Sequence, residues 1–449
     1  MFRYIKLKNY KSLVDFEADF TGKRNEPKKF VLIYGENGIG KSNLASSFLT
    51  LYDIIQTRLS MVDKTMFLEK LAEDKMAEDN FGILRGFLNN NFIDIKSIIN
   101  TCKTVNSDGN MMLEFGFRYK GKNGYYRIET DDEQIVSEKL DFVLNKNQAE
   151  YFNITNNSMR IKESIFTDAA YYKEFKNTVK QYWGKHSLLA ILYYETKEKA
   201  KNYVKNRIIP NFYDLISMFN EVSLYVNNTL RNKKGILTVK HKLLGMIESG
   251  IIKSKEKGEL LKMESFVDNF FTRTYSDIKR AYYKTEEKDG KISYQLHFEK
   301  LIYGKIRDID FRVESAGTQH LLRVLPYMLT AVEKGTVIVD EFDSGIHDIL
   351  INNVLECLYP SINGQIILTT HNTYLLESEE FPKDSIYVFG VDADANKRLV
   401  PITDLEDRVH PNLNIRKRYL NGTYQGVPMP MDVDFEDLVE ELKCGTGTP

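Results

Sequence analysis

The run Gly35-Glu36-Asn37-Gly38-Ile39-Gly40-Lys41-Ser42 fits G-x-x-x-x-G-K-[ST], a spacing suited to a polyphosphate. Gly35, Gly38 and Gly40 let the backbone wrap close to phosphate with its amide N–H groups pointing inward. Lys41 supplies a point charge for the terminal phosphate oxygens, and the Ser42 hydroxyl is a hard oxygen ligand for Mg2+. Asn37 and Asn43, inside and just after the run, join the expected nucleotide contacts. Far downstream, the apolar run Val337-Ile338-Val339 ends in Asp340-Glu341. Neighbouring strand residues point in opposite directions, so these two carboxylates are expected to divide labour. Asp340 would hold Mg2+, directly or through water, and Glu341 would polarise an attacking water. An acidic pair after an apolar run is common by itself. Its position relative to the glycine-rich run gives it meaning.

Two more groups complete the set. Glu314-Ser315-Ala316-Gly317-Thr318-Gln319 precedes the apolar-periodic HLLRVLPYML. Ser315, Gly317 and Thr318 therefore stand at a helix N-terminus, where free amides and the helix dipole favour an anion. QIILTTHNT ends an apolar strand at His371. A lone histidine there is more often a satisfied core residue. The order of glycine-rich loop, capping serine, acidic pair and histidine makes it a catalytic candidate.

The elements that must position these residues are legible around them. KKFVLIY is a continuous apolar run, as in a strand buried on both faces, and residues 43–59 carry apolar positions at helical spacing. Residues 112–154 alternate as strands around a GKNG turn, whereas 161–283 are expected to be mainly helical. KGTVIVDEF, HDILINNVLECLY, QIILTTH and SIYVFGV then alternate strand and helix, the pattern of a parallel α/β core. Both ends of the chain are expected to supply that core. Residues 1–110 and 286–449 would form its halves, 111–160 a β lobe and 161–285 a helical insertion.

At 449 residues the chain exceeds one ordinary core, and 42% hydrophobic with 28% charged residues describes a globular protein. A net charge of -1 argues for no particular partner, but its distribution is uneven. Between Lys197 and Lys262 there are 14 Lys/Arg against 6 Asp/Glu, and from Asp432 to Lys443 six acids against one Lys. The basic stretch keeps nucleic acid among the partners to be considered; solvated helix faces explain it equally well. Cys102, Cys357 and Cys444 have no metal spacing and fit reduced thiols in a cytoplasmic compartment. No apolar run reaches membrane-spanning length, so no membrane partner is expected.

The ordered motifs resemble the ABC-type "AAA" ATPases of bacterial anti-phage systems, relatives of OLD-family, AbiL-type and SMC/RecF-type ATPase heads. The resemblance runs through IKLKNYKSL, GENGIGKSNL and FRYKGKNGYYRIE, then ESAGTQHLLRVLP, VIVDEFDSGIH, ILTTHNTYLL and RKRYLNGTYQGVP. It covers about half the chain, and the ATPase subunit of PARIS-type systems is the match in size and architecture. It implies an α/β ABC/SMC-type P-loop ATPase head formed by both chain ends, with ATP and Mg2+ as cofactors. It also implies a homodimer or higher homo-oligomer whose sites are shared. Lys41, Ser42, Asp340, Glu341 and His371 would come from one copy, Ser315 and Gly317 from the other. A separate effector nuclease and a phage-derived trigger would be its partners. A RecF-like DNA-binding repair ATPase and an ATP-gated assembly scaffold are the alternatives.

The sequence departs from the family after the acidic pair, where Asp343-Ser-Gly-Ile-His347-Asp348 lacks a usual leucine and proline. A Mg2+-sensing glutamine is implied in the inserted lobe, with Gln134 and Gln148 as candidates. Asp392-Ala-Asp394 resembles the D-x-D of TOPRIM nucleases, but too little chain follows His371 for that domain. Turn aspartates are the better account.

Overall fold

The computed structural model describes residues 1–73, 92–144, 146–228, 233–238, 242–406, 413–428 and 432–444. The chain opens with an antiparallel pair, β1 (Phe2–Tyr10) and β2 (Leu13–Asp19), followed by β3 (Phe30–Tyr34). No residue of β3 is more than 1% exposed. Phe30, Leu32 and Tyr34 enter one hydrophobic core while Val31 and Ile33 enter another. That is what period-two alternation does to a strand covered on both faces. β3 feeds the glycine-rich loop, and the loop feeds helix α1 (Lys41–Glu73).

After α2 (Ile95–Cys102) come β4 (Met111–Tyr119), β5 (Lys122–Thr130), β6 (Ile135–Val143), β7 (Gln148–Thr155) and β8 (Ser158–Ile161). Together with the N-terminal pair they form one antiparallel sheet, ordered β2-β1-β4-β5-β6-β7-β8. The β lobe thus takes in the first strands of the chain. Helices α3 (Ala169–Tyr182), α4 (Leu188–Glu198) and α5 (Pro210–Asn220) follow. Helix α1 is tied to this group by Gln56 Nε2 donating to Asn220 Oδ1 at 2.6 Å and by Arg58 lying 3.7 Å over the Tyr182 ring.

The expectation of a mainly helical 161–283 holds only as far as Asn220. β9 (Val222–Asn228) is a strand of the core sheet, with β10 (Lys233–Ile236) on its outer side. β11 (Ser249–Lys253), α6 (Lys257–Thr274), β12 (Ile278–Lys288), β13 (Lys291–Ile302) and β14 (Lys305–Asp310) build a smaller α/β unit with its own core. VSLYVNN is a short apolar run whose conformation is decided by the strand beside it and not by its own periodicity.

The remainder comprises α7 (Ala316–Val332), β15 (Thr336–Val339), α8 (Asp348–Leu358), β16 (Gln365–Thr369), β17 (Ile386–Val391), β18 (Lys397–Pro401), α9 (Ile415–Leu420) and α10 (Phe435–Cys444). The core sheet runs β10-β9-β15-β16-β3-β17-β18, with the five central strands parallel. β16 lies between β3 and β15. The glycine-rich loop, the acidic pair and His371 therefore emerge side by side from the C-terminal ends of three adjacent strands, where open α/β sheets place ligands. Among the described residues no helix is long and apolar enough to cross a membrane. Cys102 and Cys357 are free thiols.

Candidate nucleotide-binding site

The loop after β3 has the backbone that its glycines permit: φ is +79° at Gly38 and +129° at Gly40, a region L side chains rarely occupy. Lys41 begins α1 and folds back over the loop, its ammonium donating to the carbonyls of Gly35 at 2.7 Å and Glu36 at 2.9 Å. Burial lowers its pKa to about 8, opposed by the negative charges of Asp340, Glu341, Asp343 and Glu36. Tyr34 anchors the end of β3, donating its hydroxyl to the Asn372 carbonyl at 3.0 Å.

β15 delivers Asp340, buried, and Glu341, exposed. Glu341 has φ +50°, a left-handed conformation that costs a non-glycine residue strain and recurs where function requires a fixed direction. Thr369, at the end of β16, holds both residues. Its hydroxyl donates to Asp340 Oδ1 at 2.5 Å and accepts the Glu341 amide at 2.9 Å. Thr370 does the same one step on, donating to Asp343 Oδ2 at 2.8 Å and accepting the Asn372 amide at 2.9 Å. His371 follows, its pKa lowered first by burial and then by the Lys41 charge. A cavity of about 280 Å³ is lined by Asn37, Gly38, Gly40, Lys41, Ser42, Asn43, Glu341 and His371. Residues from three separate stretches of sequence thus converge on one space.

Ser315, Gly317 and Thr318 are not in that lining. Ser315 caps α7, its hydroxyl accepting the Thr318 amide at 3.2 Å and meeting the Thr318 hydroxyl at 2.8 Å. Gly317 packs against the loop that follows the acidic pair: a Cβ there would stand 2.0 Å from the Gly345 carbonyl oxygen. His320 Nε2 and the Phe342 carbonyl, 3.1 Å apart, tie the same helix to the same loop. His347 caps α8 through its Nδ1, which accepts the Ile349 amide at 3.3 Å.

Neither candidate for the Mg2+-sensing glutamine lies in the cavity lining. Gln148 opens β7 and donates to Asp141 at 2.6 Å, and Gln134 sits in the turn between β5 and β6. Of the two strands beside β15, β9 contains no glutamine, and Gln365 at the start of β16 is bonded to the Phe2 and Lys28 carbonyls. Asp392 is a turn residue: its carboxylate accepts the amides of Asp394 at 3.0 Å and Asn396 at 2.9 Å and pairs with Arg398. The hairpin of β17 and β18 accounts for D-x-D.

Some residues here were not singled out from sequence. Thr369 and Thr370 could have been, as two hydroxyls directly before His371. Gly426 lies in the run RKRYLNGTYQGVP, but nothing in that run predicts its contact: an added Cβ there would lie 3.4 Å from Gly35 Cα. Tyr419, in the same run, has an equally unpredicted partner, its hydroxyl donating to the Gly426 carbonyl at 2.9 Å. Through these two, the C-terminal segment braces the start of the glycine-rich loop.

Among solved structures, the chain is similar to the SMC head domain from Thermotoga maritima, at 12% identity over 89% of this chain and 98% of that one, with a TM-score of 0.36. It is similar to the Pyrococcus furiosus Smc head domain with an extended coiled coil bound to the C-terminal domain of ScpA, at 13% identity, 89% and 95% coverage and a TM-score of 0.36. The recombination mediator protein RecF of the RecFOR pathway gives 10% identity, 89% and 97% coverage and a TM-score of 0.35. No curated protein matches the sequence. The family model described as "AAA domain, putative AbiEii toxin, Type IV TA system" matches residues 30–377, from the first residue of β3 to just beyond His371. That span is well over half of the chain, which therefore belongs to this AAA family of P-loop ATPases.

Proposed function

We propose that this protein binds and hydrolyses ATP at sites shared between two copies, and that the cycle controls a separate effector, a nuclease, in an anti-phage defence module. The observation that carries the catalytic part is the single cavity lined by Lys41, Ser42, Glu341 and His371, with Asp340 held behind it by Thr369. Lys41 neutralises the terminal phosphates, and Glu341, fixed in direction by its backbone, accepts a proton from the attacking water. The donor set suits Mg2+: a serine hydroxyl and one buried carboxylate are hard oxygen ligands. Among the described residues no group of three or more His, Cys, Asp or Glu could hold a metal, so the ion would rely on Ser42, Asp340 and the phosphates themselves. There it would neutralise charge developing on the phosphoryl oxygens.

Sharing of the site is supported by the separation of the capping group from the cavity. Ser315, Gly317 and Thr318 offer a second helix N-terminus for an anion, yet line no part of the pocket in their own chain. A second copy would supply them. The defence role is supported by the family description, which names a toxin of a type IV toxin–antitoxin system, and by the motif resemblance. The DNA-repair reading has less behind it, because part of the basic stretch is neutralised internally. Lys199 pairs with Glu174 and Glu195, and Arg207 with Asp168.

Plaque assays test the defence role. Cells carrying this gene with its genomic neighbour should resist phage, cells carrying it alone should not, and Glu341→Gln should alter the protection. Full resistance from the gene alone would place the effector inside this chain and overturn the proposal.

A further inference from the structure

A cluster of hydrogen-bond donors beside the glycine-rich loop is not explained by the residues discussed so far. Lys397 is the first residue of β18, opposite Val391 at the end of the hairpin. Its alkyl stem runs past the loop: a Cβ on Gly40 would lie 3.6 Å from Lys397 Cδ and 3.0 Å from Leu13 Cδ2. The ammonium donates to Ser12 Oγ at 2.7 Å, and Asn43 Nδ2 donates to the same oxygen at 2.6 Å. A hydroxyl has two acceptor pairs and one donor proton. With both pairs taken, the Ser12 O–H is left to donate, and so are the remaining ammonium protons. Burial lowers the Lys397 pKa, and among the described residues no carboxylate forms an ion pair with its ammonium, whose hydrogen bond goes to Ser12. Donors from the β1–β2 turn, the first turn of α1 and the start of β18 thus meet with no anionic acceptor among them. Such a cluster is built for an oxyanion.

Its place along the loop says which oxyanion. Lys41 serves the β/γ end of a triphosphate, and the loop amides cradle the α- and β-phosphates. Asn43, two residues beyond Lys41 on α1, lines the cavity and carries the Ser12–Lys397 cluster on its side chain. We propose that Lys397, set in place by Ser12 and Asn43, is a second cationic ligand of the nucleotide and acts on its α-phosphate. This rests on the nucleotide-binding reading above and extends it to a residue outside every motif.

The test is calorimetric titration of the full chain with ATP and with ADP in Mg2+ buffer. Lys397→Met keeps the stem that packs on Gly40 and Leu13 but removes the charge. It should weaken ATP and ADP alike, by about tenfold for one charge-assisted contact. Lys397→Arg should recover most of that, whereas Lys41→Ala should weaken ATP far more than ADP. Melting temperatures without nucleotide should match wild type for both Lys397 variants, since the cluster serves the ligand. Unchanged affinities in Lys397→Met, or a loss confined to ATP, would overturn the α-phosphate assignment. A wild-type chain that binds neither nucleotide would instead remove the underlying nucleotide-binding reading.

Discussion

The Thr369 hydroxyl donates to Asp340 Oδ1 at 2.5 Å, joining the end of the strand that leads to His371 to the end of the strand that carries the acidic pair. The same oxygen accepts the Glu341 amide, so one side chain orients the proposed metal ligand and the proposed base together. Thr369→Val preserves shape and removes both bonds. A hydrogen bond to a charged group is worth about 1.5–3 kcal/mol, so turnover should fall by about tenfold or more. The Mg2+ dependence should shift to higher concentration, and Mg2+-free ATP affinity should barely move. Thr369→Ser should restore most activity. Wild-type turnover with an unaltered Mg2+ curve in Thr369→Val would show that the bond does not matter.

Shared sites make a sharper claim. Ser315→Arg should bind ATP normally yet fail to hydrolyse it as a homodimer, because arginine blocks the helix N-terminus offered to the partner's nucleotide. Mixed with Lys41→Ala chains, it should regain part of the activity, since one of the two sites then has both intact halves. The readout is phosphate release, with heterodimer formation checked by mass. No rescue from demonstrated heterodimers would sink the shared-site model.

Lys41 gives ATP binding a pH profile. Burial places its pKa at about 8, below the ordinary 10.5. Folding therefore disfavours its charged form, a stability penalty fully present below about 8 and relieved as pH rises toward the unfolded value. A polyphosphate needs the charged form, so binding should take up a proton above pH 8. ATP affinity should be flat below that value and then fall by up to about tenfold per unit. Titration at increasing pH in two buffers of different ionisation enthalpy would measure the proton uptake directly. A profile that stays flat beyond pH 9 would contradict it.

Glu138 ties the antiparallel sheet to the helical layer, accepting from the Tyr126 hydroxyl at 2.9 Å, Trp183 Nε1 at 2.8 Å and the Leu188 amide at 2.7 Å. Burial raises its pKa from 4.5 to about 7, against the pull of those donors. A raised carboxyl pKa means that its contribution to stability is complete below the unfolded value and is lost as pH rises through about 7. Glu138→Gln, which carries no charge at any pH, should lack this component. The melting-temperature difference, variant minus wild type, should be more positive at pH 8 than at pH 5. An equal difference at both would refute the assignment.

The phosphate loop, the acidic pair and the histidine were legible because each is short and contiguous. A buried strand running into a glycine-rich turn is written in consecutive residues, and so is an apolar run ending in Asp-Glu. Those conformations follow from neighbouring residue types. The α/β core was legible for the same reason: strand and helix alternate from Thr336 to Val391. β9 was not. VSLYVNN alternates Val222, Leu224 and Val226 too briefly to stand out from its helical surroundings, and pairing with β15 makes it a core strand. Ser12, in the run IKLKNYKSL, and Lys397, in no motif, lie far apart in sequence, yet share a hydrogen bond because the β1–β2 turn and the β17–β18 hairpin flank the same loop. Sequence by itself determined the backbone of the glycine-rich loop, since a loop's backbone follows from adjacent residue types. Tertiary structure alone decided which distant donors stand beside it, because hydrogen bonds between remote segments depend on the order in which strands pair, and no local pattern encodes that order.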